Sequence, residues 1–201
     1  MNTRTAPSLS DFTTLWRLWL TKPRQIATWA PSSAAVGAAF VDAATAAPDG
    51  LIVELGAGTG PITATLLAAG LDRNRLIAVE ADHILHARLC RRFGPAGMLC
   101  LDARALAPTI ARLLRRRGHE HVGAILSTLP ILNFDTPDQR AVLDGCFTHA
   151  ASSACFTQIT YLPGSPVRRH RLERWGYSAT RWRRIQRNWP PATLWQYRRE
   201  P

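Results

Sequence analysis

Three glycines at every second position are the first residues whose types and spacing suggest chemistry. Gly56, Gly58 and Gly60 follow a short apolar run, residues 51–55, and Pro61 comes directly after them. The apolar run is typical of a buried strand, and proline is favoured at the first position of a helix. A strand, a tight glycine turn and a helix N-terminus together can bind the polar end of a nucleotide-like ligand.

The glycine spacing and three carboxylates narrow the choice of ligand. A dinucleotide site needs its third glycine one position later, where this chain has Pro61. Glu54 precedes the turn, and Glu80 and Asp102 end the next two predicted strands. Glu80 can accept hydrogen bonds from two ribose hydroxyls, and Asp102 from an adenine amino group. The set looks like the S-adenosylmethionine site of a class I methyltransferase; the alternative is a glycine turn that only packs a strand on a helix.

Length and composition bound the class of protein. The 201 residues suit one compact domain with a small extension, and a hydrophobic content of 46% is enough for a core. The formal net charge is +11 and the pI is about 11.0. We therefore expect an anionic partner, either nucleic acid or an acidic membrane surface.

The sequence also argues against zinc-binding, disulfide-bonded, membrane-spanning and secreted proteins. The four cysteines are widely spaced and form no C-x-x-C pair, so a zinc site or a disulfide is not expected. His83 and His86 lack the spacing of helical metal pairs and are interpreted as surface residues. No metal is therefore expected. Because the chain has no apolar run of about 18 residues and no secretory signal, we expect a cytoplasmic protein.

An apolar stripe begins the chain. Helical spacing over residues 9–22 brings aromatic and aliphatic side chains to one face, and cationic residues lie in and after this helix. Tryptophans on a short cationic helix suit the interface of an anionic membrane. The predicted membrane-binding residues are Phe12, Trp16, Arg17, Trp19, Leu20, Lys22 and Arg24. The alternative is that this helix packs on its own domain.

Strands and helices alternate through the next part of the chain. Strands are predicted at 51–55, 76–80, 98–101 and 122–126, and helices at 34–46, 62–69, 82–93, 106–117 and 136–149. Ser32 or Ser33 would cap the first of these helices and could close over a cofactor, or serve as a cap alone. The alternation indicates a parallel sheet with helices on both faces and ligands at the C-terminal strand ends, near residues 127–129.

The last part of the chain differs in character. Residues 154–161 alternate as a strand, and residues 168–187 carry many arginines against the single acid Glu173. The arginines are Arg168, Arg169, Arg171, Arg174, Arg181, Arg183, Arg184 and Arg187. With the interleaved tryptophans they suit phosphate groups of RNA or of lipid. The alternative is a solvated strand face whose arginine stems cover apolar surface.

Several segments together resemble the bacterial phospholipid N-methyltransferases of the Rhodobacter type, over most of the chain from about Phe12 to Arg199. The matching segments are Pro23-Arg24, Ala30–Ser33, Val53–Thr63, Leu129–Phe134, Gln158–Tyr161, Ser165-Pro166 and Asn188–Ala192. The resemblance implies a Rossmann-like class I methyltransferase fold, with a seven-stranded, mostly parallel sheet, helices on both faces and an N-terminal amphipathic helix. It divides the chain into a membrane-interacting segment, 1–30, and a methyltransferase domain, 31–201.

The resemblance also implies roles for individual residues. S-adenosylmethionine is the expected cofactor, and Tyr161 is the catalytic candidate at the acceptor amine. The candidate cofactor-binding residues are Ser32, Ser33, Glu54, Gly56, Ala57, Gly58, Gly60, Glu80, Ala81, Asp102, Ala103 and Thr128. One departure concerns the acceptor, because the family usually has Ser-Gly-Leu-Pro where this chain has residues 127–130 with Thr128.

The implied reaction is transfer of methyl groups to an aminophospholipid, phosphatidylethanolamine towards phosphatidylcholine, at the inner face of the cytoplasmic membrane. Tyr161 would orient the amine or accept its proton. Ornithine lipid is an alternative acceptor. An RNA adenine N6-methyltransferase is a rival, but its loop needs an amide and an aromatic ring, which residues 128–131 lack, so nucleic acid is not the expected partner. A non-catalytic S-adenosylmethionine-binding protein is the remaining alternative.

Overall fold

The computed structural model describes residues 34–186, 188 and 190–200. The predicted N-terminal helix, the membrane-binding candidates, Ser32, Ser33 and Arg187 lie outside the described residues. The helices are α1 (Ala34–Thr45), α2 (Pro61–Ala68), α3 (His83–Phe93), α4 (Ala107–Arg117), α5 (Thr136–Phe147) and α6 (Arg169–Arg174). The strands are β1 (Leu51–Leu55), β2 (Leu76–Glu80), β3 (Met98–Cys100), β4 (Val122–Ser127), β5 (Ala150–Thr160), β6 (Tyr177–Ile185) and β7 (Ala192–Arg199).

The strands form one seven-stranded sheet in the order β3-β2-β1-β4-β5-β7-β6. Strands β1 to β5 are parallel, and β7 pairs antiparallel with both β5 and β6. The chain order reverses between β1 and β4, which is where open parallel sheets bind their ligands. The predicted fold class, a mostly parallel Rossmann-like sheet, is confirmed.

Each face of the sheet buries its own hydrophobic cluster. Leu51, Val53 and Leu55 of β1 pack in the larger cluster, here called face 1, with side chains from α4, α5 and α6. Ile52 of the same strand packs in the second cluster, face 2, with α1 and α2. The alternation along β1 follows from the two-residue period of a strand. All five residues of β1 are buried, as expected for a central parallel strand covered on both faces.

Most predicted bounds agree with the structure to within two residues, and two predictions need correction. β5 begins at Ala150 instead of residue 154, because an irregular register between Val122 and Ala124 lets the small residues 150–153 extend the strand. His86 is half-buried: its Nε2 lies 3.3 Å from the carbonyl oxygen of Met98 and 3.3 Å from Cys90 Sγ. The spacing argument against a metal pair could not show that β3 covers this part of α3.

Neither a membrane-spanning helix nor a metal-binding cluster is found in the described part of the chain. No helix there is long and apolar enough to cross a membrane. The same residues contain no group of three or more His, Cys, Asp or Glu side chains that could hold a metal ion.

Gly60 joins the glycine turn to α2 in the left-handed region, at φ 80° and ψ 39°. A Cβ atom built there would collide with the Phe93 ring and lie 2.7 Å from Leu89 Cδ1, and Leu89 is fully buried. The glycine turn can therefore pack against α3 only without a side chain at this position.

Gly60→Ala should destabilise the protein by about 3 kcal/mol, from about 1–2 kcal/mol of left-handed strain and a similar cost of overpacking. Urea unfolding measures this change. Gly70→Ala is the matched control, because Gly70 has φ +89° but no atom within 4 Å of its built Cβ. Only the strain should remain in the control, and equal losses for the two variants would contradict the packing argument.

Candidate active site

Backbone hydrogen bonds fix the glycine turn at the C-terminal edge of the sheet. The N–H groups of Gly56 and Ala57 both donate to the carbonyl oxygen of Val79 in β2, at 2.9 and 3.0 Å. Ala57 is itself buried, and the Gly60 N–H closes the turn on the Ala57 carbonyl at 2.8 Å. The turn is therefore tied to the neighbouring strand before any ligand is considered.

Glu80 supports the same turn from the end of β2. One carboxylate oxygen accepts the Gly58 N–H at 2.7 Å, and the other accepts the Asp82 N–H at 2.9 Å. A carboxylate has about four lone-pair sites, so both oxygens keep capacity for ribose hydroxyls. Ala81, also a predicted site residue, is exposed beside it. This arrangement suits the ribose role predicted for Glu80, which stays a prediction.

Glu54 lies buried between β1 and α2, with 1% of its surface exposed. Its Oε2 accepts the Thr63 hydroxyl at 2.6 Å, whereas Oε1 has no hydrogen-bond partner within the described part of the chain. Burial raises the pKa of Glu54 from 4.5 to about 7, and the charge of Glu80 adds to this shift. A buried carboxylate with a free acceptor atom is suited to a cationic group at the turn.

Asp102 and Ala103 lie at the turn that follows β3. The Asp102 carboxylate accepts hydrogen bonds from the backbone N–H and the guanidinium of Arg104, at 2.9 and 2.5 Å, and Arg104 also binds Asp138 at 2.6 Å. The side-chain hydrogen bond from Arg104 is the main reason why the pKa of Asp102 is lowered. Asp102 is thus ionised and half-exposed, and its adenine contact stays a prediction.

The loop after β4 packs directly on the glycine turn. The Thr128 hydroxyl donates to the carbonyl of Gly56 at 2.7 Å, and a Cβ built on Gly56 would lie 3.1 Å from that hydroxyl and 3.2 Å from Leu129 Cδ2. Thr128 therefore links the glycine turn to residues 128–135, here called the acceptor loop because an acceptor role is predicted for it. Its methyl and hydroxyl occupy the place where the family resembled usually has glycine.

Tyr161 follows β5 at the same edge of the sheet. It is half-buried, packs against face 2 together with Trp182, and burial raises the pKa of its hydroxyl above the ordinary value. The phenol is thus protonated at neutral pH. Tyr161 lies directly after β5, whose residue Gln158 pairs with Ser127 at the end of β4. Its role at the acceptor amine stays a prediction.

Two side chains with supporting contacts were not predicted as site residues. Thr63 holds Glu54 from α2, and Gln158 donates through Nε2 to the carbonyl oxygen of Leu129 at 2.9 Å. Gln158 is buried, so it braces the acceptor loop from β5. Both lie in segments quoted for the resemblance, but neither spacing nor periodicity shows which distant group they contact.

Comparisons with known proteins were made on this fold and site. No protein-family model matches the chain. An ornithine lipid N-methyltransferase from Singulisphaera acidiphila is 33% identical over 116 residues, which are 56% of this chain and 58% of that relative. The match thus spans less than two thirds of the relative.

Solved structures share the fold at low identity. A 1,6-didemethyltoxoflavin-N1-methyltransferase from Burkholderia thailandensis aligns over 100% of this chain and 94% of its own, with a TM-score of 0.65 and 15% identity. A magnesium protoporphyrin IX methyltransferase from Synechocystis PCC 6803, with bound S-adenosylmethionine, covers 98% and 100%, with a TM-score of 0.60 and 13% identity. The fold is that of the Rossmann-like, S-adenosylmethionine-dependent methyltransferases, and the residues at its glycine turn fit that cofactor.

Glu54→Gln should stabilise the ligand-free protein at alkaline pH. Glutamine can still accept the Thr63 hydroxyl, but it removes the cost of ionising a buried group. Because the pKa rises from 4.5 to about 7 on folding, wild-type stability falls as the pH increases between these values. We expect a gain of about 3 kcal/mol at pH 8 and below about 1 kcal/mol at pH 5, measured by urea unfolding.

The Glu54→Gln variant should bind the cofactor more weakly, although its folded state is more stable. The glutamine amide has no negative charge to attract the cationic sulfonium. Calorimetry should therefore show weaker binding of S-adenosylmethionine to Glu54→Gln. Thr63→Val serves as the control, since it removes the hydroxyl that stabilises the ionised carboxylate and should cost stability most at pH 8. A Glu54→Gln gain that is equal at both pH values would rule out the ionisation explanation.

Proposed function

We propose that this protein is an S-adenosylmethionine-dependent N-methyltransferase whose acceptor is the amine of a phospholipid headgroup. The observation that carries the proposal is the pair of hydrogen bonds that link the glycine turn to Thr128 and the neighbouring Leu129 to Gln158, three residues before Tyr161. Similarity to an ornithine lipid N-methyltransferase supports a lipid amine as acceptor.

The cofactor would lie over the ends of β1, β2 and β3. Glu80 would hold its ribose, Asp102 its adenine amino group, and Glu54 would provide negative charge near its cationic end. When bound, S-adenosylmethionine supplies an electrophilic methyl group on a positively charged sulfur. The glycine turn brings backbone N–H groups close without side chains in the way.

The acceptor amine must lose a proton before it can attack. A primary amine has a pKa of about 10, so most of it is protonated at neutral pH. Burial raises the pKa of the Tyr161 hydroxyl, which favours the neutral phenol and a positioning role over a phenolate base. The neutral hydroxyl oxygen instead accepts a hydrogen bond from the amine and aligns it with the methyl group, and the proton leaves to water.

The acceptor lipid is phosphatidylethanolamine, converted towards phosphatidylcholine, or an ornithine lipid. Each presents a primary amine at a membrane surface, and the proposal includes that the enzyme acts at the inner face of the cytoplasmic membrane. The cationic residues 9–24, with Trp16 and Trp19, would bind anionic lipid there. These assignments extend the proposal and rest on the amphipathic pattern and the basic charge.

The high positive charge also suits an RNA adenine N6-methyltransferase. That reaction needs a ring to stack the flipped base. In this structure Ile131, at the corresponding position, is 1% exposed and packs into face 1. Ile131 therefore cannot serve as the platform for a flipped base, and RNA is included as an alternative substrate in the assay.

A labelled-methyl transfer assay tests the proposed function. Purified protein with S-adenosylmethionine is incubated separately with phosphatidylethanolamine vesicles, ornithine-lipid vesicles and ribosomal RNA. We expect label in one lipid fraction, which also names the headgroup. Label in RNA alone would overturn the lipid assignment, and cofactor binding without transfer to any of the three would favour a non-catalytic binding protein.

Tyr161→Phe should lower turnover by about 10–100-fold with little change in cofactor affinity, because the hydroxyl contact to the amine is lost. The pH dependence of the remaining activity should keep its wild-type midpoint, since a neutral phenol does not titrate near pH 7. Turnover at the wild-type level would exclude the hydroxyl from the mechanism, and a shifted midpoint would make Tyr161 the base.

A further inference from the structure

The fold separates the arginines of the C-terminal part into distinct places. Arg169 pairs with Glu173 on α6 at 2.8 Å, and Arg198 donates to the Ser153 carbonyl at 3.0 Å. Arg199 stacks over the rings of Phe147 and Tyr177. These three arginines therefore make contacts within the fold. Other arginines lie in the second half of β6.

β6 runs parallel to β5, because β7 is antiparallel to both. Thr193 of β7 pairs with Thr160 at the end of β5 and with Arg184 near the end of β6. The C-terminal half of β6, residues 181–185, therefore lies at the same edge of the sheet as the candidate active site. It lies two strand spacings from β5, about 10 Å.

A β-bulge sets the direction of the arginines in this half-strand. Arg181 pairs with Trp195, but Arg183 pairs with the next β7 residue, Leu194, so Trp182 is inserted. Trp182 packs on face 2, and the Arg183 guanidinium lies 4.7 Å from its ring centroid and 2.5 Å from Asp42. The bulge therefore uses Trp182 and Arg183 to fasten β6 to α1.

The same bulge brings Arg181 and Arg184 to one face of the strand. Their β7 partners are Trp195 and Thr193, two residues apart, so the two arginines emerge about 7 Å from each other on face 1. Without the inserted residue, positions 181 and 184 would point to opposite faces. Both side chains are exposed, and no hydrogen bond or ion pair within the described residues holds either one.

We propose that Arg181 and Arg184 form a two-arginine clamp for the phosphodiesters of membrane lipids next to the bound substrate. The inference rests on the proposed lipid methylation. Each guanidinium presents a fork of N–H donors that matches two phosphate oxygens. At about 10 Å from β5, the pair suits lipids that neighbour the one whose amine is methylated.

Exposed apolar side chains at the same edge favour a membrane over RNA as the source of phosphate. Among the described residues, the exposed large hydrophobic side chains are Ile84, at 55%, and Leu132, at 42%. They follow β2 and β4, so both lie at the C-terminal edge that carries the clamp and the candidate site. Apolar groups at the same sheet edge as arginines suit a lipid interface, where they reach below the headgroups.

The test is binding of the full-length protein to vesicles of equal parts phosphatidylglycerol and phosphatidylethanolamine. Arg181→Gln with Arg184→Gln removes the clamp and two charges. Each basic residue near an anionic surface contributes about 1 kcal/mol, so the double variant should bind about 30-fold more weakly. The loss should shrink at high salt, because salt screens exposed charges.

The matched control is Arg115→Gln with Arg116→Gln. These exposed residues lie in the last turn of α4, at the opposite edge of the sheet, and their replacement removes the same charge. The control should bind vesicles nearly as the wild type does. Equal losses for the two double variants would reduce the effect to net charge and overturn the clamp, and circular dichroism confirms that all variants fold.

Three further outcomes separate the explanations. If Trp16→Ala with Trp19→Ala abolishes vesicle binding while the clamp variant binds as the wild type, the N-terminal segment makes the contact and the clamp is wrong. If the clamp variant loses binding to ribosomal RNA but not to vesicles, its phosphate belongs to RNA. If the wild type methylates no lipid and the clamp variant still loses vesicle binding selectively, the proposed function fails and the clamp stands.

Discussion

The site is organised around a buried carboxylate that has a hydrogen bond to only one of its two oxygens within the described residues. Glu54 is 1% exposed, Thr63 binds one of its oxygens, and the other has no partner within the described residues. A charge in such a place costs several kcal/mol, so near neutral pH the ligand-free protein holds Glu54 close to its midpoint of ionisation. A cation bound at the glycine turn would reduce this cost. The ionised Glu54 therefore destabilises the ligand-free protein, and a positively charged ligand would restore that stability.

The remaining contacts make the site a property of the sheet edge rather than of one loop. Gly56 and Ala57 are bonded to β2, Glu80 of β2 accepts from Gly58, and Thr128 after β4 donates to Gly56. Gln158 of β5 then holds Leu129. Since parallel strands end at one edge, each turn supports its neighbour, and the position of the acceptor loop depends on the conformation of the glycine turn.

Sequence patterns predicted what depends on local geometry. The glycine turn, the strand that ends in Glu80, the Asp82 cap of α3 and the mostly parallel sheet all follow from spacing and from residue preferences that act over a few positions. What the patterns missed depends on contacts between distant segments. Thr63 pairs with Glu54 across a turn, Arg104 binds Asp102 and Asp138 together, and β3 covers His86. Periodicity identifies the inner face of an element, but it does not identify the partner.

The bulge in β6 also has a second explanation, because edge strands commonly carry charges and bulges that block pairing with another chain. That purpose is served by an arginine on either face and at any point along the strand. It does not require Arg181 and Arg184 on the same face, nor their position at the edge that carries the candidate site. Protection of the edge therefore accounts for the presence of charge on β6, and the shared face of Arg181 and Arg184 is the feature on which the proposed clamp rests.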